Sequence, residues 1–178
     1  MGKATQDLMN EHESILHVFT ILDKMLTFST VDEERDLKFA DEYIHFLKVF
    51  ADQCHHGKEE GILFKVLEKH GVPVEGSPIG VMLEEHKLGR QLIGLMNEAV
   101  QAADLEAFKH HAVEYRDLLR QHIQKENSIL FKLADQLISN EMQMELFEEF
   151  EAHEEHVIGH GVHEHLHDQI HVWESLYH

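Results

Sequence analysis

Apolar residues along this chain recur three, four and seven positions apart, and no stretch alternates apolar with polar residues long enough to form a strand. The pattern predicts four long helices. The first covers roughly 4–28, with Leu8, Ile15, Val18, Leu22 and Met25 turned inward. The second covers roughly 32–69, and its apolar face changes phase near Cys54, which predicts a kink or gentle supercoil close to Gly57 and Gly61. The third covers roughly 78–103, with Ser77 placed as N-cap and Pro78 at the first position. The fourth covers roughly 105–137 behind Asp104 as N-cap. Between them lie the polar stretch Ser29-Thr30-Val31-Asp32 and the loop GVPVEGSPIG, which carries both prolines. Connections this short make neighbours antiparallel, so the expected architecture is all-α, an up-down-up-down four-helix bundle over 1–139.

A different pattern starts at Ser139. Residues 141–178 hold no Lys or Arg, 10 acids and 8 histidines. MELFEEFEAHEEH predicts a fifth helix, Gly159 and Gly161 interrupt it, and a short helix follows to Leu176. We expect 140–178 to form a His/Glu-rich helical extension packed on or beside the bundle. His153, His156, His160, His163, His167 and His171 are spaced 3, 4, 3, 4 and 4. On a continuous helix they would make one stripe, readable as a metal-loading or pH-responsive face. A solvated face covering the bundle fits the interrupting glycines better.

Composition narrows the chemistry. Lys+Arg is 15 against Asp+Glu 34, a net charge of −19, which argues against nucleic acid and polybasic membrane anchoring. No apolar run approaches the ~18–20 residues of a membrane span, and MGKATQDLMNEHE lacks the apolar core of a signal peptide. The single cysteine, Cys54, excludes an intrachain disulfide and a CxxC motif and favours a cytoplasmic setting. Cys54 itself reads as a small core residue. Histidine, by contrast, supplies 18 of 178 residues. With abundant carboxylates and almost no thiol, that points to iron, manganese or zinc held by N and O ligands.

The chain also repeats itself. HHGKEEGILFKVL from His55 matches HIQKENSILFKLA from His122 at an offset of 67, pairing His55 with His122, Glu59 with Glu126 and Phe64 with Phe131. LMNEH, ending at His12, pairs with MLEEH, ending at His86. Residues i and i+4 share a helix face about 6 Å apart along the axis. Two His-x-x-x-Glu helices about 8–10 Å apart therefore bring two carboxylates to one centre, where each can bridge two cations. His56 and Glu60 fit the same spacing, but the repeat selects His55 and Glu59. His56 is either an adjacent further ligand or exposed. The remaining histidines of the bundle, His17, His45, His70, His110 and His111, read as surface residues.

In this order, His12, His55-x-x-x-Glu59, His86 and His122-x-x-x-Glu126 resemble the hemerythrin-like (HHE cation-binding) family over roughly 5–137. The resemblance implies a non-haem centre of two Fe ions, bridged by Glu59, Glu126 and an oxo or hydroxo group, with another divalent metal possible in place of iron. It implies O2, NO or peroxide as the small ligand, and roles in sensing, stress response or repair of iron centres. A metal-buffering protein without redox turnover and a di-iron peroxidase or NO reductase are the alternatives. The O2-carrying members place a second histidine four residues after the first on the third helix, where this chain has Arg90, and use His-x-x-x-x-Asp on the fourth. One iron is thus expected to lack a histidine, to be replaced by His56, a tail histidine or Glu85, or left open to the ligand.

Overall fold

The computed structural model describes residues 1–28, 32–159 and 161–178, with His163 as backbone only. The expected break at Ser29-Thr30-Val31 and the expected stripe member His160 lie outside the described residues. Among the described residues every regular element is helical. Helix α1 (Lys3–Thr27) presents Leu8, His12, Ile15, Val18, Leu22 and Met25 to the interior. Asp32 caps α2 (Glu33–Phe46) by accepting from the Arg35 amide at 3.0 Å. That rod ends as α3 (Phe64–Lys69). Ser77 accepts from the Ile79 amide at 3.1 Å and opens α4 (Pro78–Gln101), with Pro78 at a position where its missing N–H costs nothing. Asp104 does the same for α5 (Leu105–Lys125) through Ala107, and that rod ends as α6 (Phe131–Leu137). Ser139 caps α7 (Asn140–Val157), and α8 (Val162–Leu176) follows. Gly159 and Gly161, at φ 80° and 82°, make the break between them in a region where a side chain would be strained.

The phase change near Cys54 has a specific cause. After α2 the rod widens into π-helical turns over Leu47–His56 and Glu59–Leu63 before it closes again as α3. The second repeat does likewise at Glu126–Leu130, between α5 and α6. In such turns the backbone bonds i to i+5, so Glu59 and Phe64 return to one face, as do Glu126 and Phe131.

Two apolar clusters fill the molecule, and a polar band separates them. One contains Ile15, Phe19, Phe39, Ala51, Met96 and Phe108. The other contains Leu8, Leu63, Phe64, Met82, Leu130 and Phe131. Each long rod crosses between them: on α1, Leu8 and Ile15 flank His12, and on α2–α3, Ala51 and Leu63 flank His55 and Glu59. The tail joins both clusters, Leu146 and Phe150 the second and Leu166, Ile170, Trp173 and Tyr177 the first. Trp173 Nε1 donates to Glu42 Oε2 at 2.8 Å, and the Tyr177 hydroxyl to Asp36 Oδ1 at 2.8 Å. Among the described residues no helix is long and apolar enough to cross a membrane.

Candidate metal centre

The polar band is built from five imidazoles and two carboxylates in two groups that share Glu59. One group is His12, His55, Glu59 and Glu126, and the other is His56, Glu59, His86 and His122. Within each, one ligating atom per residue lies within 4.8 Å of all the others. All six residues expected from the sequence are brought together here, and His56 joins them. Glu59 faces His55 Nε2 with Oε1 (3.5 Å) and His86 Nε2 with Oε2 (3.4 Å). Glu126 Oε2 lies 3.1 Å from His12 Nε2 and 3.2 Å from His122 Nε2. Each carboxylate therefore touches a histidine of both groups.

The donor set fits divalent cations. His12, His55 and His56 Nε2 and both oxygens of Glu59 and Glu126 are buried without a hydrogen-bond partner. Leaving so many polar atoms unsatisfied costs several kcal/mol unless a cation takes their lone pairs. The outer nitrogens show which way those lone pairs point. Nδ1 of His55 meets Glu11 (2.7 Å), that of His86 meets Glu60 (2.7 Å) and that of His122 meets Glu85 (2.9 Å). Nδ1 of His12 meets Asn127 Oδ1 (2.7 Å) and that of His56 meets Asp52 Oδ1 (3.4 Å). An oxygen acceptor at each Nδ1 puts the proton there and leaves Nε2 free to ligate, the arrangement that orients metal-binding histidines. His86 and His122 turn their Nε2 atoms toward each other at 3.1 Å, a fit for a shared cation rather than for two neutral rings.

The repeat reaches into this supporting layer. Glu11, before His12, holds His55 Nδ1 and Lys58 Nζ; Glu85, before His86, holds His122 Nδ1 and Lys125 Nζ. Glu60 and Asn127, each following a central carboxylate, hold His86 and His12. Phe131 stacks on His12 at 5.4 Å and Phe64 on His86 at 6.1 Å. The symmetry breaks at His56, whose counterpart at the same offset is Ile123. His56 is buried and stacks on His86 at 3.8 Å, so the exposed alternative is excluded and the two groups hold three imidazoles and two. Arg90 stands behind them, donating to Asp52 (2.9 Å) and Glu60 (2.7 Å). The sequence reading missed this layer, although the paired Glu-His and His-x-x-Lys-Glu strings carried it.

Charge follows the same design. Burial opposes the Glu126 carboxylate, but His122 and His12 outweigh it and hold the acid well below its ordinary range. Burial likewise opposes the charged His122 ring, yet Glu126 and Glu85 raise it to about 10. Burial and the neighbouring rings His86, His55 and His122 keep His56 neutral. Glu11, against burial, is held at about 2 by His55 and Lys58. Burial pushes the Cys54 thiol up to about 12, in keeping with a core residue and not a nucleophile.

Glu85 supports His122 rather than entering the centre. Among the described residues no tail histidine belongs to a metal-ligating group. His153 instead faces the Gln53 carbonyl oxygen at 3.0 Å, and His171 faces Glu174 at 3.1 Å. A family model described as the hemerythrin HHE cation-binding domain matches residues 3–134. No curated protein and no solved structure matches the chain.

Proposed function

Because the chain belongs to the hemerythrin HHE cation-binding family, we propose that it is a non-haem di-iron protein binding or reacting with O2, NO or peroxide in sensing, stress response or iron-centre repair. The observation that carries this reading is the set of buried, unpartnered atoms on His12, His55, His56, Glu59 and Glu126 at one centre. In it, His12, His55, Glu59 and Glu126 would hold one ion and His56, His86, His122 and Glu59 the other, with Glu126 within reach of a histidine of each group. When bound, two irons supply one-electron redox changes that a small ligand can draw on as a pair.

The chain's own residues do the rest. Glu11, Glu60, Glu85, Asp52 and Asn127 keep each Nδ1 proton outward and each ring in place. Phe64, Phe131 and the two apolar clusters exclude water. The group of His12 and His55 offers two imidazoles against three in the other, and we assign the small ligand to that side. Four rods running between the clusters, α1 and α4 one way and α2 and α5 the other, support an up-down-up-down bundle over 1–139 with 140–178 as its extension.

The test is metal content together with the optical spectrum of the purified protein. About two irons per chain, with a spectrum that NO or peroxide alters, is the expected result. Zinc or nickel held equally well after Glu59→Ala would instead favour a metal buffer. Many turnovers with a reductant would favour a peroxidase or NO reductase.

A further inference from the structure

We propose that Glu154, on α7 and outside the region matched by the family, is a positioning residue for this centre, acting through Lys58 and Glu11 on His55. The inference rests on the metal reading above. Lys58 is fully buried, and its ammonium lies 2.7 Å from Glu11 Oε1, 3.0 Å from Glu154 Oε2 and 3.3 Å from Asp7 Oδ2. The other oxygen of Glu11 meets His55 Nδ1 at 2.7 Å. Three contacts thus link a helix of the tail to a histidine of the two-imidazole group.

The repeat supplies an internal comparison. Lys125, the counterpart of Lys58, also backs a Glu-His pair, Glu85 and His122. Its side chain is 37% exposed, against 1% for Lys58, and among the described residues its ion-pair partner is Glu85. Water solvates that ammonium. A buried ammonium must instead be matched by protein acceptors, because burial strips away its hydration. The three N–H donors of Lys58 meet three carboxylates, and Glu154 is the one that α7 brings.

The backbone fits this seating. His153 Nε2 sits 3.0 Å from the Gln53 carbonyl oxygen, and a Cβ on Gly57 would lie only 2.6 Å from that nitrogen. Gly57 therefore lets α7 approach the rod beside His55. Without the Glu154 charge, Lys58 draws more heavily on Glu11, and Glu11 holds the His55 N–H less well. The arm of His122 has no such dependence.

The experiment compares the full-length, iron-loaded protein with Glu154→Gln, Glu154→Asp and the exposed neighbour Glu155→Gln. Iron loss to a ferrous chelator and the iron-shifted histidine N–H signals in NMR are read, with thermal melts as the folding control. Glu154→Gln is expected to speed iron loss about 3- to 10-fold, less than the loss of a direct partner of a ligand would. It should move one N–H signal. Glu154→Asp should recover most of the wild-type behaviour, and Glu155→Gln all of it. Wild-type release and unmoved signals in Glu154→Gln overturn the proposal. So does a lowered melting temperature with every signal displaced, which marks a merely structural role. A wild-type protein that binds no iron pair overturns the metal reading itself, before any variant is compared.

Discussion

His56 and Ile123 hold equivalent places in the two halves, yet one faces the centre and the other packs in the core. The repeat selects His55 and Glu59 over His56 and Glu60 as the central pair, and the structure places Glu59 in both groups and Glu60 behind His86. It could not show that His56 also turns inward, because adjacent residues of an α-helix point about 100° apart. The π-helical turn over Leu47–His56 narrows that separation, and both rings reach the centre. Isoleucine is already accommodated at the matching position, so His56→Ile should fold. Iron titration should show one of the two sites weakened by at least about tenfold, with helix content unchanged. Proton binding gives a second residue-scale prediction. In protein stripped of metal, His122 is raised from its ordinary 6.5 to about 10, so the fold binds this proton more tightly than the unfolded chain. That contribution is complete below about 6.5 and is lost as pH rises through about 10. Thermal melts of stripped protein should therefore fall across this window. Iron-loaded protein should lack the fall, because the ion takes the position the proton held.

At the scale of elements, the helix starts were legible and the helix interiors were not. Ser77, Asp104 and Ser139 cap where side-chain chemistry says they should, each closing a bond to an orphan amide of the first turn. The π-helical turns left only a phase slip in the apolar pattern, because they lie where side chains of four rods converge and no residue type marks them locally. Two glycines inside the helices give predictions at this scale. Gly61 stands in the Glu59–Leu63 turn with nothing within 4 Å of an added Cβ. Gly61→Ala should therefore stabilise by about 0.5–1 kcal/mol through the unfolded chain's lost freedom. Gly80 lies in the first turn of α4, where a Cβ would come 2.4 Å from the Val74 carbonyl oxygen. Backbone cannot swing aside as a side chain can, so Gly80→Ala should destabilise by about 1–3 kcal/mol. Urea unfolding of the two variants checks both signs.

Over the whole molecule, the tail's place in the core was the least legible feature. Ten acids and eight histidines over 141–178 dominate its composition and hide a short apolar stripe, Leu166, Ile170, Trp173 and Tyr177, spaced 4, 3 and 4. That stripe enters the same cluster as Phe39 and Phe46, and Trp173 packs edge-on against both rings at 5.4 and 6.2 Å. Trp173 is fully buried, so Trp173→Ala should cost about 3–5 kcal/mol. The chain has one tryptophan, so its fluorescence reports the seam between tail and bundle alone. Circular dichroism reports the helices everywhere. Denaturant curves from the two probes should coincide, because Trp173 cannot leave without opening the cluster shared by α1, α2 and α5. A fluorescence transition well before the loss of helix would mean that 140–178 peels away as a separate unit. The bundle would then have to keep its metal centre without the cover of α7, and iron retained at that intermediate denaturant concentration would show whether it can.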